Sequence, residues 1–260
     1  MIFVNGLTDG LDQSQVLSSQ YADDVGLWTS NSKVCEAAIT LQGEVDKVEA
    51  WCRKWHVTLS PHKSKLVLFT KCPRHKDEEN ENNICIKLFG EPISVCYEAD
   101  FLGVTFDSRL TWEAQTRKIV AKSYKRLNLL RAVSAMSENL KPDVMGKLYK
   151  ATIRSVFEYG SLCIINAAET HLQKLQLIQN QALRVILKTP AYVSIDDLHD
   201  CSGIPRVKDH LINFARKRFS SMKQRSPLIA ALIQEYSLVK HIKENASVLD
   251  VINDIQQQQQ

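Results

Sequence analysis

Two adjacent acids, Asp23 and Asp24, interrupt a strand-like segment and constrain the fold more than any other feature of the chain. Apolar, strand-forming residues flank the pair at 16–17 and 25–28. Strands disfavour Asp and neighbouring like charges repel, so the pattern predicts a β-hairpin with the acids at its tip. Two interpretations follow. The pair is an ordinary polar turn, because Asp is a favoured turn residue, or it meets a divalent cation such as Mg²⁺, which takes carboxylate oxygens.

The first 112 residues alternate between strand-like and helical patterns. The hairpin is expected over 16–21 and 25–30, turning at residues 22–24, with an N-cap at Asn31 and Ser32 for a helix over 34–56 whose apolar residues recur at helical spacing. Strands are predicted at 66–69, 84–89, 91–95 and 101–107. The hydrophilic stretch 71–83 is predicted to be an exposed loop.

Beyond residue 112 the pattern is almost wholly helical, and prolines punctuate it at 142, 190, 205 and 227. Helices are predicted over 113–135, 141–158, 168–188, 206–223, 227–236 and 239–254. The sequence thus predicts an α+β fold with a mixed region over 1–112, a helical region over 113–254 and a poly-Gln tail at 255–260.

Composition sets wide limits on the protein class. A net charge of +4, 44% hydrophobic residues and 24% charged residues are ordinary for a globular protein. No apolar run reaches the ~18 residues of a membrane span. The N-terminal residues do not resemble a signal peptide. The seven cysteines form no Cys-x-x-Cys motif. We therefore expect an intracellular protein, in the nucleus, the cytoplasm or both, with no membrane partner.

The acidic pair lies in a recognisable motif. Tyr21-Ala22-Asp23-Asp24 resembles the [Phe/Tyr]-x-Asp-Asp box of reverse transcriptases. With alanine in its second position, the motif is similar to the box of non-LTR (LINE-type) retrotransposons, in particular the jockey-like group. Four residues recur by chance, so the segments downstream carry more weight.

Several later segments follow in the order expected of that family, and the resemblance covers roughly residues 1–222. Trp51-x-x-x-Trp55 and then residues 59–69 are similar to palm motif D, with Ser60 where Asn is usual. Residues 101–112 look like the Leu-Gly hairpin that grips the primer end. Segments 157–160, 175–184 and 198–205 resemble the helical region beyond the polymerase. The implied fold is a partial palm, made of antiparallel hairpins and a helix, followed by a helical thumb and post-thumb region.

The resemblance also implies roles for individual residues. Asp23 becomes the principal ligand of Mg²⁺, or of Mn²⁺ in its place, and Asp24 a secondary or structural acid. Lys63 becomes a charge stabiliser or proton donor to the pyrophosphate leaving group, with a solvated loop lysine as the alternative. Tyr21 and Ala22 line the primer or nucleotide side, although a tyrosine on an apolar hairpin is also explained by packing.

Contacts with nucleic acid are implied at two further places. Leu102 and Gly103 contact the primer end through their backbone, unless Gly103 serves only to bend a strand. A basic face on the helix after residue 112 contacts phosphates, with a solvated charged face as the alternative; its residues are Lys118, Lys122, Lys125, Arg126 and Arg131. The same two interpretations apply to Arg206, Lys208, Arg216, Lys217 and Arg218.

The family needs parts for which we find no match. A reverse transcriptase palm has a third carboxylate upstream, in motif A, and only 22 residues precede Asp23. We therefore expect a C-terminal fragment starting within the palm, which holds Mg²⁺ weakly and does not polymerise by itself. Its partners by resemblance are an RNA template, a DNA primer and a deoxynucleoside triphosphate. The alternatives are a non-catalytic nucleic-acid-binding protein co-opted from the element and a helical protein-interaction module over 113–254.

Overall fold

A computed structural model describes residues 6–70, 84–136, 139–165 and 167–227. The chain divides into two compact units, Met1–Leu110 and Thr111–Gln260. Four predicted segments lie outside the described residues: the loop at 71–83, the helix at 239–254, the poly-Gln tail and the helix at 227–236 except for its first residue. None of the helices in the described ranges is long and apolar enough to cross a membrane.

The acidic hairpin is present in the first unit. Strand β1 (Leu17–Tyr21) pairs antiparallel with β2 (Asp24–Trp28). Because the Cα of Tyr21 faces that of Asp24, the turn contains only Ala22 and Asp23. The predicted hairpin is confirmed, with a turn one residue shorter than expected.

Helix α1 (Val34–Trp55) supports this hairpin. Val48 and Cys52 on α1 are buried, and Val25 and Leu27 of β2 pack against their cluster. The predicted cap is wrong, because the N-cap is Lys33 and no side chain caps it. Asn31 instead accepts a hydrogen bond from the Lys33 backbone N–H at 3.2 Å, which forms a turn just ahead of the helix.

Short strands complete the middle of the first unit. A 3₁₀ turn (Pro61–Lys63) leads into β3 (Lys65–Leu66), which pairs parallel with β6 (Ser94–Val95). Between them, β4 (Lys87–Leu88) and β5 (Glu91–Pro92) form a tight hairpin. The predicted strands at 66–69, 84–89 and 91–95 are thus shorter than expected. Proline has no N–H to donate, so Pro92 limits the ladder.

A second long hairpin ends the first unit. β7 (Glu98–Phe101) pairs antiparallel with β8 (Val104–Asp107). Leu102 and Gly103 form the turn with φ of 49° and 75°. The prediction of one strand over 101–107 is wrong, because two consecutive residues with positive φ reverse the chain there. In the described part of the chain the eight strands form four separate two-stranded sheets.

The second unit is helical. Its helices are α2 (Glu113–Met136), α3 (Pro142–Tyr149), α4 (Ser155–Glu158), α5 (Ser161–Ile164), α6 (Glu169–Leu187), α7 (Ile195–Ser202) and α8 (Val207–Arg225), with a π-helical turn, Lys150–Arg154, between α3 and α4. The helices predicted from 113 to 223 are confirmed within a few residues, whereas α5 and α7 were not predicted.

Helix α6 contacts most of the long helices of this unit and carries several of its fully buried residues. Leu175, Ile178 and Leu183 are fully buried. The helix contacts α2, α3, α7 and α8. Its apolar stripe therefore organises the helical core, as expected for a helix with neighbours on several sides.

Candidate metal and nucleic-acid site

The Asp23–Asp24 tip projects from a hairpin whose two faces differ. Val25 and Leu27 pack towards α1, whereas Tyr21 is 69% exposed on the opposite face. Asp23 and Asp24 are both exposed. The high exposure of Tyr21 favours the alternative to packing, and the side chain lies on the same side of the hairpin as its cross-strand partner Asp24.

A second Asp–Asp pair gives an internal comparison. Asp196 and Asp197 lie in the first turn of α7, where Arg206 forms an ion pair with Asp196 and Ser194 caps the Asp197 backbone N–H. These acids serve a helix start, and acids there are stabilised by the helix dipole. In the described part of the chain, neither Asp23 nor Asp24 has a side-chain hydrogen bond or ion pair. Since both carboxylates are exposed, they are accessible to an external cation.

The structure brings the second long hairpin next to the acidic one. A Cβ atom placed on Gly26 would lie 3.3 Å from the Phe101 ring. Gly26 is two residues beyond Asp24, and Phe101 immediately precedes the Leu102–Gly103 turn. The absence of a side chain at Gly26 thus permits the close approach of the two hairpins that carry six of the predicted site residues.

Lys63 ends the 3₁₀ turn and is exposed. Its backbone N–H bonds to the Ser60 carbonyl at 3.2 Å. Among the described residues no hydrogen bond or ion pair joins its side chain to the acidic tip. The structure therefore places Lys63 on the same unit as Asp23 without bringing the two side chains into contact.

Other acids of the first unit serve the backbone. Glu44 on α1 is buried and accepts from the Asp12 N–H at 3.0 Å, and buried Glu49 accepts from the Phe89 N–H. Asp12 accepts hydrogen bonds from Ser14, which hold the pKa of its carboxyl below the usual value. Within the described ranges no group of three or more His, Cys, Asp or Glu side chains could hold a metal ion. In this part of the chain the candidate metal site therefore consists of the predicted pair, Asp23 and Asp24, without a third ligand.

Comparison with known proteins identifies relatives along most of the chain. It is 28% identical over 208 residues to the RNA-directed DNA polymerase from mobile element jockey of Drosophila funebris, a match that covers 80% of this chain. It is 25% identical over 219 residues to the probable RNA-directed DNA polymerase from transposon BS of Drosophila melanogaster, covering 84% of this chain. The chain is related to the RNA-directed DNA polymerases of non-LTR retrotransposons.

The matched relatives are much longer than this chain. The chain spans 22% of the length of the jockey protein and 24% of the BS protein. A jockey polymerase of Drosophila melanogaster matches similarly, at 26% identity over 209 residues. No protein-family model matches the chain. No solved structure matches it either.

In this retrotransposon-related chain, three predicted nucleic-acid contacts share one face of α2. Lys118, Lys122 and Lys125 are exposed and follow one another at spacings of four and three residues. Ile119, Leu127 and Leu130 are buried on the opposite side of the helix. The three lysines therefore form a contiguous basic surface, which we call the α2 lysine face.

The other two basic residues predicted on α2 lie away from that face. Arg126 is half-buried and donates to the Thr152 carbonyl in the π-helical turn. Arg131 donates to Asn128 at 3.0 Å and to Gln181 of α6 at 2.9 Å. Arg126 therefore holds the irregular turn in place, because a π-helical turn disturbs the regular pairing of the backbone.

The basic residues of α8 are mostly engaged within the protein. Arg206 pairs with Asp196, and Lys208 pairs with Glu169 at 2.8 Å. Arg216 donates to Asn213, and Arg218 lies over the Phe214 ring at 5.1 Å from its centroid. Lys217 is exposed. This group does not form a continuous basic surface like the α2 lysine face.

Two of the helical motifs build a buried polar network. Gln179 donates to the Tyr149 hydroxyl at 3.1 Å and to the Pro205 carbonyl at 3.0 Å. Gln176 contacts His199 Nε2 at 3.0 Å and accepts from the Val207 N–H at 2.9 Å. Residues of the 175–184 and 198–205 motifs thus have a structural role that their sequence did not reveal. The available signal was that Gln176 and Gln179 lie beside the apolar residues Leu175 and Ile178 in the helical pattern.

Proposed function

We propose that the chain is a portion of a non-LTR retrotransposon reverse transcriptase. Residues up to about 112 belong to the palm in this proposal, and the helices from α2 onwards to the thumb and post-thumb region. Matches to RNA-directed DNA polymerases over about 80% of the chain support it. The observation that carries the site is the exposed Asp23–Asp24 tip on a hairpin anchored to α1.

The donor chemistry of the tip suits Mg²⁺ or Mn²⁺. Hard divalent ions bind carboxylate oxygens, and Mg²⁺ is often held by one or two carboxylates together with substrate phosphates. Asp23 and Asp24 would hold the ion, with Asp23 as its principal ligand. When bound, the ion would supply positive charge to the phosphate groups of a transferred nucleotide.

The neighbouring residues position nucleic acid in this proposal. Tyr21 and Ala22 line the primer or nucleotide side of the tip. Leu102 and Gly103 contact the primer end through their backbone, and the packing of Phe101 on Gly26 sets the distance between the two hairpins. Lys63 stabilises charge on the pyrophosphate leaving group. The partners are an RNA template, a DNA primer and a deoxynucleoside triphosphate.

Two carboxylates are too few for a complete two-metal site. A symmetric clamp on the attacking and leaving oxygens uses two ions about 4 Å apart, and several carboxylates hold them. We therefore propose that Asp23 and Asp24 act with a further acid, and that the purified chain does not extend a primer by itself.

Primer extension tests this proposal. The chain is incubated with Mg²⁺ or Mn²⁺, deoxynucleoside triphosphates and a DNA primer annealed to an RNA template. We expect no incorporation above that of an Asp23→Ala variant. Incorporation by the unaltered chain that Asp23→Ala abolishes would show that the tip suffices for catalysis and would contradict the proposed need for a further acid.

A second candidate function is nucleic-acid binding without catalysis, and the α2 lysine face favours it. Each lysine that neutralises a phosphate releases counterions, so affinity falls as salt rises, with a slope of about 0.7 to 0.9 per contact. A salt titration of RNA and DNA binding separates the two functions. Binding that survives Asp23→Ala and is lost on reversal of Lys118, Lys122 and Lys125 to Glu would support the non-catalytic function.

A further inference from the structure

The second unit contains a small pocket that the proposed site does not use. Residues of α3 line it together with the C-terminal ends of α6 and α7, and its volume is about 140 Å³. Its inner wall includes Gly146, Ile186 and Ile204, all of which are buried. We call it the α3–α7 pocket.

Gly146 keeps this pocket open. It lies inside α3, where glycine is less stable than alanine. Its φ is not positive, and among the described residues a Cβ atom placed on it would have no neighbour within 4 Å outside its own helix. Neither backbone conformation nor close packing therefore accounts for the missing side chain. Its effect is to leave space in the wall of the pocket.

The volume of the pocket fits a single side chain. Sites for whole small-molecule ligands measure roughly 300 to 1,000 Å³, whereas a cavity of about 150 Å³ admits one benzene molecule. The α3–α7 pocket has the smaller size, and Ile186 and Ile204 make its inner wall apolar. Large apolar side chains seated in pockets of this kind anchor protein interfaces. The size therefore favours a side chain presented by another protein over a free small molecule.

The edge of the pocket favours acidic residues beside that side chain. Lys147 and Lys150 line the pocket, are exposed and lie three residues apart, so they share one side of the helical backbone. In the described part of the chain neither lysine has an ion pair or a side-chain hydrogen bond. Asp143 is the one carboxylate among the described residues that line the pocket. The two lysines outnumber it, so the edge attracts negative charge.

We propose that the α3–α7 pocket binds a protein partner through one aromatic or large aliphatic side chain that is flanked by acidic residues. This inference goes beyond the proposed function, because it gives the helical unit a protein partner and requires no catalysis. Burial of the apolar side chain supplies most of the affinity. Contacts between exposed lysines and carboxylates add a modest amount each and select the acidic partner.

Substitutions at Gly146 test the pocket directly. Leucine is a good helix former, so Gly146→Leu fills the space with a residue that suits α3. Gly146→Ala is a second variant, which narrows the pocket by one methyl group. The matched control is Gly43→Leu, because Gly43 lies exposed inside α1 and a Cβ atom added there likewise meets no described neighbour within 4 Å.

Binding is measured by the anisotropy of a fluorescein-labelled nonapeptide with a central phenylalanine between two pairs of glutamates, titrated with the full chain. We expect Gly146→Leu to abolish saturable binding and Gly146→Ala to weaken it, while Gly43→Leu leaves it unchanged. A peptide with alanine in place of the phenylalanine should bind roughly tenfold more weakly. Thermal unfolding followed by circular dichroism verifies folding, and Gly146→Ala decides the test if Gly146→Leu unfolds at a lower temperature than the unaltered chain.

Charge variants test the edge of the pocket. Lys147→Gln with Lys150→Gln should weaken binding of the acidic peptide roughly fivefold at low salt, and Asp143→Asn should strengthen it roughly twofold. These effects have opposite signs, so general loss of structure does not explain both. The matched control is Lys122→Gln with Lys125→Gln, which removes the same charge from the α2 lysine face and should change peptide binding little.

Several results would overturn the proposal. They are no binding of the acidic peptide to the unaltered chain, equal binding of the phenylalanine and alanine peptides, and unchanged binding in both Gly146 variants. Loss of RNA binding in the Lys147 and Lys150 double variant, with peptide binding unchanged, would assign this surface to nucleic acid instead. Each of these results leaves the proposed reverse-transcriptase function standing, since primer extension tests that function separately.

Discussion

Ala22 carries backbone strain at the most important turn of the chain. Its φ is 53°, in the left-handed region that costs an L-residue about 1 to 2 kcal/mol. Glycine adopts this region freely but loses more entropy on folding. We expect Ala22→Gly to raise the free energy of unfolding by about 0.5 kcal/mol, measured by urea denaturation.

A matched substitution checks the explanation for Ala22. Ala50 is exposed on α1, where the backbone is helical. Glycine there should lower the free energy of unfolding by about 1 kcal/mol, because glycine is a poor helix former. If both variants lost stability, backbone strain at Ala22 would not be the controlling factor at the hairpin tip.

His210 gives the second unit a dependence on pH. Burial lowers the pKa of His210, while its hydrogen bond to Glu158 at 2.8 Å acts in the opposite direction, and Arg154 and Lys217 lower it further. The carboxylate can only accept, so Nε2 carries the hydrogen in the neutral ring. Between its lowered pKa and about 6.5 the unfolded chain binds more protons than the folded one, so stability falls as pH decreases through this window.

The expected result is a smaller loss of stability on acidification when His210 is replaced by Gln. Urea midpoints at about pH 7.5 and pH 5.5 give the measurement. His62→Gln is the control, since His62 is exposed. A His210→Gln variant that loses as much stability as the unaltered chain would assign the pH dependence to other groups.

The polar network makes α6 a specific scaffold. Gln179 is 1% exposed and satisfies both the Tyr149 hydroxyl and the Pro205 carbonyl. Burial also raises the pKa of Tyr149, so its hydroxyl stays protonated. Gln179→Leu would leave the buried Tyr149 hydroxyl and the part-buried Pro205 carbonyl without their donor, and we expect a loss of roughly 2 kcal/mol in the free energy of unfolding.

Chemical denaturation of Gln179→Leu beside Gln173→Leu tests the network. Gln173 lies exposed on the same helix. A surface substitution of this kind usually changes stability by less than about 0.5 kcal/mol. Similar losses in the two variants would show that the buried contacts of Gln179 carry little energy.

Periodicity sufficed for the long elements and failed for the short ones. Helix α1 was predicted at 34–56 and observed at Val34–Trp55, since its apolar residues repeat at helical spacing. Helix α7 has only eight residues, which is too short for a periodic signal, although Ser194 followed by Asp197 is a helix-start pattern. The hydrophobic pattern of residues 101–107 predicted one strand, and only the family resemblance implied the Leu102–Gly103 hairpin, because Leu102 is an unusual residue for a turn with positive φ.

For the candidate site too, features formed by neighbouring residues in the sequence were predicted, and contacts between distant residues were not. The Asp23–Asp24 tip was predicted because its hairpin lies within a few residues. The packing of Phe101 on Gly26 was not, since 75 residues of sequence separate them. Likewise Gly146 and Ile204 line one pocket only because α6 contacts both α3 and α7. Sequence patterns indicate which residues a segment offers, and tertiary packing decides which of them meet.

At the scale of the whole molecule, a net charge of +4 conceals an uneven distribution. The first unit carries an exposed acidic tip, and the second carries the α2 lysine face. An exposed acidic tip and an exposed basic surface are both features that the proposed function requires, because nucleotidyl transfer uses metal ions and contacts to phosphates.

The most direct test of this account is Mn²⁺ binding to the purified chain, followed by electron paramagnetic resonance. We expect weak, roughly millimolar binding that is lost in Asp23→Asn with Asp24→Asn. It should persist in Asp196→Asn with Asp197→Asn, which alters an Asp–Asp pair already engaged by Arg206 and Ser194. Equal Mn²⁺ binding by the unaltered chain and the Asp23 and Asp24 double variant would contradict the assignment of the acidic hairpin as a metal site.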